Sequence, residues 1–270
     1  MKTAILVDGG FYRRRAFTAY GDKSPAERAS ELVKYCKRHL HSHGENSELY
    51  RIFYYDCFPM ARQIYHPLLK RTIDYSKSVM YSWSIDFFNE LKKKRKLALR
   101  MGKLAEQQAH FELKPSVVSK LINGTKTLND LTESDFILSV EQKGVDMKIG
   151  LDIASMAYKK QVDQIVLISG DSDFVPAAKL ARREGIDFVL DALHTNIKPD
   201  LFEHIDALRT CDMCFRPRQA RPEIQPEAQP ETQPETQPEA QPETQPETQP
   251  EAQPETQPET QPETQPETQS

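Results

Sequence analysis

Two aspartates follow an apolar run in the segment QIVLISGDSDF, which begins at residue 164. The run Ile165–Ile168 has the length and composition of a buried strand, and Asp171 and Asp173 come just after it. A carboxylate close to a buried element is costly unless something compensates its charge. The position of these two residues therefore indicates a site that handles charge, and the question is which other residues reach it.

Two further aspartates are expected at the same place. Asp8 ends an earlier strand-like run, and Asp146 opens a helical pattern whose apolar positions include Ile149 and Ile153. Parallel strands that are joined by right-handed crossovers end at one edge of the sheet, so Asp8 and Asp171 should meet there. Helical spacing places Asp146 on the apolar side of its helix, where a carboxylate needs a partner.

Three or four carboxylates in one crevice repel each other and raise their own pKa values unless a cation lies among them. Such a set of hard oxygen ligands suits Mg²⁺ or Mn²⁺. A metal centre of this kind can activate water and stabilise an in-line displacement at phosphorus. The residues therefore predict metal-assisted phosphodiester hydrolysis, with Asp8, Asp146, Asp171 and Asp173 as metal ligands.

Each of these residues also has a structural interpretation. Asp8 could be a turn residue before two glycines, and Asp173 could cap the helix that begins at Phe174, a role compatible with metal binding. Asp152 falls on the polar stripe of its helix, where periodicity favours a surface pair with Lys148. Asp56 follows a strand at the same edge, but a single aspartate there is weak evidence.

Short apolar strands alternate with amphipathic helices along the chain, which is typical of a parallel sheet covered on both faces. This pattern predicts an α/β fold with three layers, α/β/α. The predicted strands are 2–7, 49–56, 136–140, 164–169 and 186–190, and the predicted helices are 25–40, 84–106, 142–159, 174–184 and 199–208. Residues 57–135 are longer than one crossover needs, which predicts a helical insertion around 60–130.

The last part of the chain differs in composition from the rest. From Pro222 to Gln269 the sequence repeats Pro-Glu-Xaa-Gln twelve times. Too few apolar side chains are present to offset the entropy of ordering, and a proline at every fourth position opposes helix and sheet. We therefore predict one folded domain at 1–216 and a disordered repeat tail at 217–270.

Charge divides along the same boundary. The chain has 36 Lys and Arg against 40 Asp and Glu, and twelve of the glutamates lie in the repeat, so residues 1–221 carry a formal charge of +8. A basic body is compatible with a polyanionic partner. The acidic tail could contact this body in cis and compete with such a partner.

Three blocks of the sequence, in order, resemble the bacterial NYN-domain proteins of the LabA-like, DUF88 group, which belong to the PIN-like nuclease superfamily. The blocks are ILVDGGFY (5–12), QKGVDMKIGLDIA (142–154) and VLISGDSDFVPAAKLARREG (166–185). The resemblance covers essentially residues 1–210. It implies a PIN-like, Rossmann-like fold with sheet order 3-2-1-4-5 and a metal-dependent ribonuclease activity.

The resemblance also implies roles for individual residues. The catalytic acids of the family fall on Asp8, Asp146 and Asp171, and Asp173 completes the last motif. Asp152 matches a recurrent aspartate of the second block and is a weaker candidate for a metal ligand. Many relatives carry an Asn shortly after the first Asp, whereas Phe11 and Tyr12 stand here.

Three functions are therefore compared. The first is a Mg²⁺- or Mn²⁺-dependent ribonuclease, and the second is a non-catalytic RNA-binding or regulatory module of the same fold. The complete carboxylate set favours the first, and the absent Asn favours the second. The third is a phosphatase of the haloacid dehalogenase type, because Gly-Asp-Ser-Asp resembles its metal motif. Those enzymes need Asp-x-Asp after the first strand, where this chain has Asp8-Gly9-Gly10.

Two basic runs are candidates for holding an RNA backbone. They are Arg13, Arg14 and Arg15 after the first strand, and Lys92, Lys93, Lys94, Arg95 and Lys96 in the predicted helix 84–106. Phe11, Tyr12, Tyr54 and Tyr55 could stack on bases, although aromatic residues in strands are more often core. His39, His41 and His43 are explained by the helix dipole, with no acidic partner evident from the spacing.

The remaining features concern compartment and assembly. No apolar run approaches the roughly 18–20 residues that span a bilayer, and the apolar run at the N-terminus is too short for a signal peptide. We therefore predict a cytoplasmic protein with four reduced cysteines and no membrane partner. Cys211 and Cys214 form a lone Cys-x-x-Cys, which supports a zinc site only weakly. A homo-oligomer is a further prediction.

Overall fold

The computed structural model describes residues 1–42 and 45–216, and the repeat tail at 217–270 lies outside the described residues. The strands are β1 (Lys2–Asp8), β2 (His41–Ser42), β3 (Glu45–Asn46), β4 (Glu48–Cys57), β5 (Gln63–His66), β6 (Arg71–Asp74), β7 (Leu97–Leu104), β8 (His110–Leu113), β9 (Phe136–Ser139), β10 (Gln142–Lys143), β11 (Gln164–Ile168), β12 (Asp187–Asp191) and β13 (Ala207–Leu208). The α-helices are α1 (Gly9–Tyr20), α2 (Pro25–Arg38), α3 (Val79–Lys92), α4 (Pro115–Ile122), α5 (Val145–Tyr158), α6 (Val175–Arg183) and α7 (Pro199–Glu203).

A seven-stranded sheet forms the centre of the fold, in the order β10-β7-β4-β1-β11-β12-β13. The pairs from β7 to β13 are parallel, and β10 is antiparallel to β7 at one edge. The five long parallel strands, numbered among themselves along the chain, have the order 3-2-1-4-5. The predicted sheet order is therefore confirmed.

Two apolar cores cover the two faces of this sheet. On one face, α5 and α6 pack against β1, β4, β11 and β12 through residues such as Ile149, Ile153 and Ala178. On the other face, α1, α2 and α3 bury Tyr12, Leu32 and Phe87. The predicted three-layer α/β/α architecture is confirmed.

The alternation of side chains along each strand decides which helices a strand residue meets. In β1, Ala4 and Leu6 belong to the core beneath α5 and α6, whereas Ile5 and Val7 belong to the core beneath α1–α3. Asp8 continues the first series, so its side chain points to the α5–α6 face. The same alternation decides which face of the sheet is reached by the residue at the end of each strand.

The helix α2 illustrates how local sequence sets the boundaries of an element. Ser24 caps its N-terminus by accepting from the backbone N–H of Glu27, and the Glu27 carboxylate accepts in return from the backbone N–H of Ser24. Pro25 stands in the first turn, where its missing N–H costs nothing. This capping box confirms the helix start that Ser24-Pro25-x-Glu27 predicts.

Two predicted helices are wrong in part. The helix predicted at 84–106 ends at Lys92, and residues 97–104 form β7 of the central sheet. Lys96 has a φ of 59°, which turns the chain sharply before the strand. Apolar residues of β7 pair with β4, and this tertiary pairing overrides the helical appearance of the segment. The helix predicted at 199–208 ends at Glu203, and Ala207–Leu208 is β13.

The segment in which a helical insertion was predicted, around 60–130, is mixed. It contains the hairpin β5–β6 and the helices α3 and α4, and its strand β8 pairs with β9. Its strand β7 belongs to the central sheet. The structure thus has helices in this segment together with strands that the composition did not predict. The division of the chain into domains stays a prediction.

A helix that crosses a membrane must be long and apolar along its whole length. No helix between residues 1 and 42 or between 45 and 216 is both long and apolar enough to cross a membrane.

The first glycine after β1 is required by close packing. A Cβ at Gly9 would lie 2.6 Å from Asp56 Oδ2 and 2.6 Å from the Tyr54 hydroxyl oxygen. We predict that Gly9→Ala lowers the free energy of unfolding by about 1–3 kcal/mol, because the buried neighbours must move. Urea denaturation measures this change.

Gly150 provides the matched control for this substitution. It lies inside α5 with no atom within 4 Å of the added Cβ. Gly150→Ala should therefore raise the free energy of unfolding by about 0.5–1 kcal/mol, since alanine loses less backbone entropy in a helix. Equal effects of the two substitutions would contradict the packing that is described at Gly9.

Candidate metal and RNA site

Asp8 lies at the carboxyl end of β1 and also caps α1. Its Oδ1 accepts a hydrogen bond of 3.0 Å from the backbone N–H of Phe11. Its Oδ2 accepts a hydrogen bond of 3.3 Å from the hydroxyl of Ser169. Burial raises the pKa of Asp8 above its ordinary value, and the nearby carboxylate of Asp56 adds to the rise. The carboxylate is thus oriented by two donors and placed where an extra positive charge would be favourable.

Ser169 links the two predicted strand ends. It is fully buried, donates to Asp8, and accepts a hydrogen bond of 3.2 Å from the backbone N–H of Asp171. Sequence reasoning treated it only as the end of a strand. The signal was present, because Ser169 continues the side-chain series of Ile165 and Leu167, which shares a sheet face with Asp8.

Asp171 and Asp173 follow β11 on a short 3₁₀ turn, Ser172–Phe174. Asp171 caps this turn through a hydrogen bond of 3.0 Å from the backbone N–H of Asp173 to its Oδ1. Both side chains are exposed. The predicted capping role of Asp173 is wrong, because Asp171 makes the cap and α6 begins only at Val175. The Asp173 carboxylate is left facing solvent.

Asp146 lies in the first turn of α5, and the charges of the other acids affect its pKa. Partial desolvation raises its pKa, and the negative charges of Asp8, Asp171 and Asp173 raise it further. Its side chain is exposed, whereas Val145 and Ile149 beside it are buried. The expectation that Asp146 points into the apolar face is therefore wrong. The residue stands at the mouth of the site and remains within electrostatic reach of the other three carboxylates.

The carboxylates around Asp8 do not form a compact metal-binding cluster. Within residues 1–42 and 45–216, three potential metal-ligating atoms within 4.8 Å of one another occur at Asp200, Glu203 and His204, and not at Asp8 and its neighbours. The Asp200 group lies on the short helix α7, largely exposed. An open arrangement around Asp8 is compatible with Mg²⁺, which keeps several waters and needs only one or two protein carboxylates.

A divalent cation fits the donor set around Asp8. All of its members are carboxylates, which are hard oxygen ligands. The pKa of Asp146 is raised, after desolvation, by three like charges, so a cation among them would relieve the repulsion. Nuclease domains of the PIN-like superfamily generally use divalent metals.

Asp152 is placed away from these residues. Its Oδ2 accepts a hydrogen bond of 2.8 Å from the Tyr55 hydroxyl and pairs with the Arg100 guanidinium at 2.9 Å. The predicted surface pair with Lys148 is replaced by this contact with β7. Six residues separate Asp152 from Asp146 along α5, which is about 9 Å at the helical rise. Asp152 therefore has structural partners of its own, and its weaker role as a metal ligand stays a prediction.

Asp56 forms a second acidic centre at the same edge of the sheet. It is 1% exposed, pairs with the Arg13 guanidinium at 2.9 Å, and accepts from the Tyr54 hydroxyl at 3.1 Å. Burial raises its pKa, and Arg13 opposes the rise. Sequence reasoning gave Asp56 little weight because it could not show that Arg13 turns back from α1 to meet it.

The three arginines after β1 have different environments. Arg13 is held by Asp56, and Arg15 donates to the backbone oxygens of Leu193 at 2.7 Å and Phe215 at 2.6 Å. Arg14 is exposed, and no hydrogen bond or ion pair of its guanidinium is found among the described residues. Its charge lowers the pKa of Asp8, although burial outweighs this effect. Arg14 is therefore the cation of this run that is available to a ligand near the acids.

The basic run 92–96 connects the end of α3 to the start of β7. It precedes the first residue of β7, and its Lys96 oxygen accepts a 2.8 Å bond from the backbone N–H of Ile52. Leu97 pairs with Ile52, which pairs with Ile5, so the start of β7 lies two strands away from β1 and about 10 Å before Asp8 along the strand direction. Lys94 donates to the Ser30 hydroxyl, and Lys93 pairs with Glu90. The run is thus not next to the acids, and its contact with RNA stays a prediction.

An open cleft of about 1130 Å³ joins the acids to the first helices. Its lining includes Asp8 and Asp146 at one side and Arg13 and Arg14 of α1. It continues between α1 and α3, where Phe17, Val79, Met80 and Trp83 face it. The cleft therefore combines carboxylates, a free cation and apolar side chains in one surface.

Most of the aromatic residues that were proposed to stack on bases are core residues. Tyr12, Tyr54 and Tyr55 are fully buried. Phe11 is half-buried against Gly170, where an added Cβ would lie 2.7 Å from its ring. The preference for a core role over stacking is thus correct for the three tyrosines.

His39 has a partner that the local sequence could not reveal. Its Nε2 lies 2.9 Å from Asp191 Oδ2, and both side chains are buried. Asp191 also accepts hydrogen bonds from the hydroxyls of Tyr35 and Thr210. The local spacing shows no acidic partner for His39, because Asp191 comes from the end of β12, 152 residues away. This network joins α2 to the segment that follows β13.

The pair Arg13–Asp56 gives a stability prediction. Arg13→Met keeps the side-chain stem but leaves the Asp56 carboxylate buried and unpaired, so the free energy of unfolding at pH 7 should fall by about 3–5 kcal/mol. Without Arg13 the folded-state pKa of Asp56 rises further above its unfolded value. The folded state then binds the extra proton, so stability should recover as the pH is lowered from 7 toward that pKa.

The double variant Arg13→Met/Asp56→Asn and the single variant Arg14→Met are the controls. Removing both charges should restore most of the lost stability, and Arg14→Met should change it by less than about 0.5 kcal/mol. A loss for Arg13→Met that does not depend on pH would contradict the ion pair as its cause.

Comparison with known proteins gives a match in one family. Residues 86–204 match the NYN domain, a range that includes Asp146, Asp152, Asp171 and Asp173 but not Asp8. Among curated proteins, none matches. Assignment to the LabA-like, DUF88 group stays a prediction.

A solved structure aligns with most of this chain. It is a protein of unknown function from Vibrio parahaemolyticus, 14% identical, with a TM-score of 0.41, and the alignment covers 79% of this chain and 94% of that one. No conclusion about the site is drawn from it. Residues 86–204 thus match the NYN domain, a domain of the PIN-like nuclease superfamily, and the sheet order is the one that the resemblance predicts.

Proposed function

We propose that the protein is a Mg²⁺- or Mn²⁺-dependent ribonuclease that hydrolyses RNA phosphodiester bonds. The observation that carries the proposal is that Ser169 donates to the Asp8 carboxylate and accepts from the backbone N–H of Asp171, while Asp146 lines the same cleft as Asp8. The charges of Asp8, Asp171 and Asp173 also raise the pKa of Asp146, after desolvation. Four carboxylates from three distant segments thus share one electrostatic environment at the carboxyl edge of the sheet. Membership of a nuclease superfamily supports the same reaction class.

In this proposal Asp8, Asp146 and Asp171 are the catalytic metal ligands, and Asp173 adds a fourth carboxylate. When bound, the metal would activate water and neutralise charge that develops on the phosphate. Ser169 and the backbone N–H of Phe11 hold the Asp8 carboxylate in one orientation. This fixed orientation fills a need that an Asn after the first Asp meets in many relatives.

Two arginines are assigned to substrate binding and its support. Arg14 is the exposed cation of the cleft, and we assign to it a phosphate of the RNA backbone. Arg13 lines the same cleft but is already paired with Asp56, so its main effect is to balance the buried charge. Arg15 is a structural residue, because it is bonded to two backbone oxygens.

The alternative function is an RNA-binding or regulatory module without catalysis. It is favoured by one observation: Asp146, Asp171 and Asp173 are exposed and do not form a compact cluster with Asp8. Such a set binds a metal more weakly than a preformed cage does. The two functions share the cleft and differ only in whether RNA is cut.

The test is cleavage of a mixed RNA pool by the full-length protein with Mn²⁺ or Mg²⁺, and with EDTA. We expect metal-dependent cleavage, and we expect Asp146→Asn and Asp171→Asn each to reduce it at least about 100-fold, as the loss of a group acting on the transition state does. Asp146 is exposed and Asn can replace Asp171 as a cap, so both variants should stay folded.

Substitution in the compact group of Asp200, Glu203 and His204 is the matched control. Asp200→Asn/Glu203→Gln removes the carboxylates of the compact cluster on α7 and should leave cleavage unchanged. Unaltered cleavage by Asp146→Asn and Asp171→Asn would reject the assigned site. Absence of metal-dependent cleavage by the wild type would replace the ribonuclease with the binding module.

We also propose that the acidic repeat of residues 222–269 acts as a partner of the basic body in cis. Its twelve glutamates are opposite in charge to residues 1–221, whose formal charge is +8, so the repeat would compete with RNA for the basic body. A full-length variant with all twelve glutamates changed to glutamine should bind RNA more tightly at low salt. The difference should shrink as salt is raised. Equal affinities at low salt would remove the idea.

Three further points remain predictions. They are the cytoplasmic location, the homo-oligomer, and the division into a domain at 1–216 and a disordered tail at 217–270.

A further inference from the structure

The wall of the cleft between α1 and α3 is unusually apolar for an exposed surface. Phe17 is 60% exposed, Val79 86% and Met80 67%, and all three line the cleft that contains Asp8 and Asp146. Exposed apolar side chains that occur singly are common, but a contiguous group in a cleft indicates a binding surface. The ribonuclease assignment uses only the carboxylates and Arg14, and leaves this wall without a role.

The geometry of α1 relates the wall to the acids. Asp8 caps the helix, Arg14 is exposed one and a half turns later, and Phe17 follows three residues after Arg14 on the same helix face. At the helical rise, Arg14 is about 9 Å and Phe17 about 13–14 Å from Asp8 along the axis. A carboxylate, a cation and an aromatic ring thus follow one another along the cleft.

Trp83 makes the opposite side of this surface rigid. Its ring is stacked on Phe87 at 5.1 Å between centroids, and its Nε1 donates a hydrogen bond of 2.9 Å to the backbone oxygen of Lys23. Met80 stands one turn before Trp83 on α3 and adds an adaptable apolar contact. Trp83 is therefore held in place by its ring stacking and its hydrogen bond, whereas Phe17 and Met80 remain exposed.

We propose that this wall is a base-binding subsite, at which Phe17 and Met80 contact unpaired bases of an RNA strand whose phosphate is held by Arg14. The inference rests on the proposed function and deepens it, because it makes single-stranded RNA the substrate class. A nucleotide combines an anionic phosphate with a flat, largely apolar base, which matches a cation beside an aromatic ring. In a duplex the bases are stacked inside and cannot reach Phe17.

A polypeptide is the other occupant that an apolar cleft could take. RNA is favoured by Arg14, which is exposed and unpaired among the described residues, and by the formal charge of +8 on residues 1–221, although Asp8 and Asp146 place two carboxylates in the same cleft. Asp22 also lines the cleft, on the side of α1 that is far from Asp8. RNA is therefore expected to follow the Asp8–Arg14–Phe17 line.

The test is equilibrium binding of a fluorescent single-stranded RNA to the full-length protein in EDTA, so that no cleavage occurs. Phe17→Ala should weaken binding roughly 5- to 100-fold, which is the effect of losing one stacked base. Met80→Ala should weaken it less. Phe202→Ala is the matched control, since Phe202 is 58% exposed on α7 and does not line the cleft.

Two further measurements make the outcome specific. Phe17→Tyr keeps a flat ring and should bind like the wild type, whereas Phe17→Leu should resemble Phe17→Ala. The same RNA annealed to its complement should bind more weakly and should be insensitive to Phe17→Ala. Circular dichroism shows whether each variant is folded, and Phe17→Tyr and Phe17→Leu still separate the outcomes if Phe17→Ala is not.

Several results would overturn the proposal. They are equal affinities of the wild type and Phe17→Leu, equal sensitivity of duplex and single strand, and no binding of RNA by the wild type, which would leave the wall to a protein partner. Because binding is measured without metal, a protein that binds as described but never cuts would reject the ribonuclease and retain the subsite.

Discussion

The alternation of side chains along the parallel strands determines where each carboxylate at the sheet edge can act. Asp8 follows Ala4 and Leu6 in the series that faces α5 and α6, so it meets Ser169, Asp171 and Asp146. Asp56 and Asp191 belong to the opposite series and face α1 and α2. A shift of one residue in any of these strands would exchange the two sets. The edge therefore carries distinct acidic centres on the two faces of the sheet, and the charge of Asp56 still raises the pKa of Asp8.

The separate centres differ in how their charge is balanced. Asp56 is neutralised by Arg13, and Asp191 accepts from His39, Tyr35 and Thr210, so both are complete without a ligand. Among the described residues, the carboxylates of Asp8, Asp146, Asp171 and Asp173 form no salt bridge, and the charges of Arg13 and Arg14 act on Asp8 only at longer range. Repulsion among them costs stability, and this cost is typical of a site that is kept for function. The same edge thus contains two centres with balanced charge and one with unbalanced charge, which is the centre that we propose as the metal site.

Sequence patterns predict the features that depend on nearby residues or on the connectivity of parallel strands. The strands, the Ser24–Glu27 capping box and the grouping of Asp8 with Asp171 follow from apolar runs and from the connectivity of parallel strands. The helix α1 was not predicted, because its GGFYRRR start lacks an amphipathic pattern and depends on the cap by Asp8. The strand β7 and the pairs Arg13–Asp56 and His39–Asp191 depend on residues that are distant in the chain. No single sequence reveals such pairings.

The central claim is that a divalent metal binds among Asp8, Asp146 and Asp171, and not at the compact group Asp200, Glu203 and His204. Fe²⁺ can be substituted for Mn²⁺ in the full-length protein, and ascorbate with peroxide then cleaves the polypeptide next to the bound iron. Mass spectrometry locates the cuts. The account predicts cuts near residues 8, 146 and 171 that excess Mg²⁺ suppresses. Cuts confined to residues 200–204, or cuts that Asp146→Asn leaves unchanged, would contradict it.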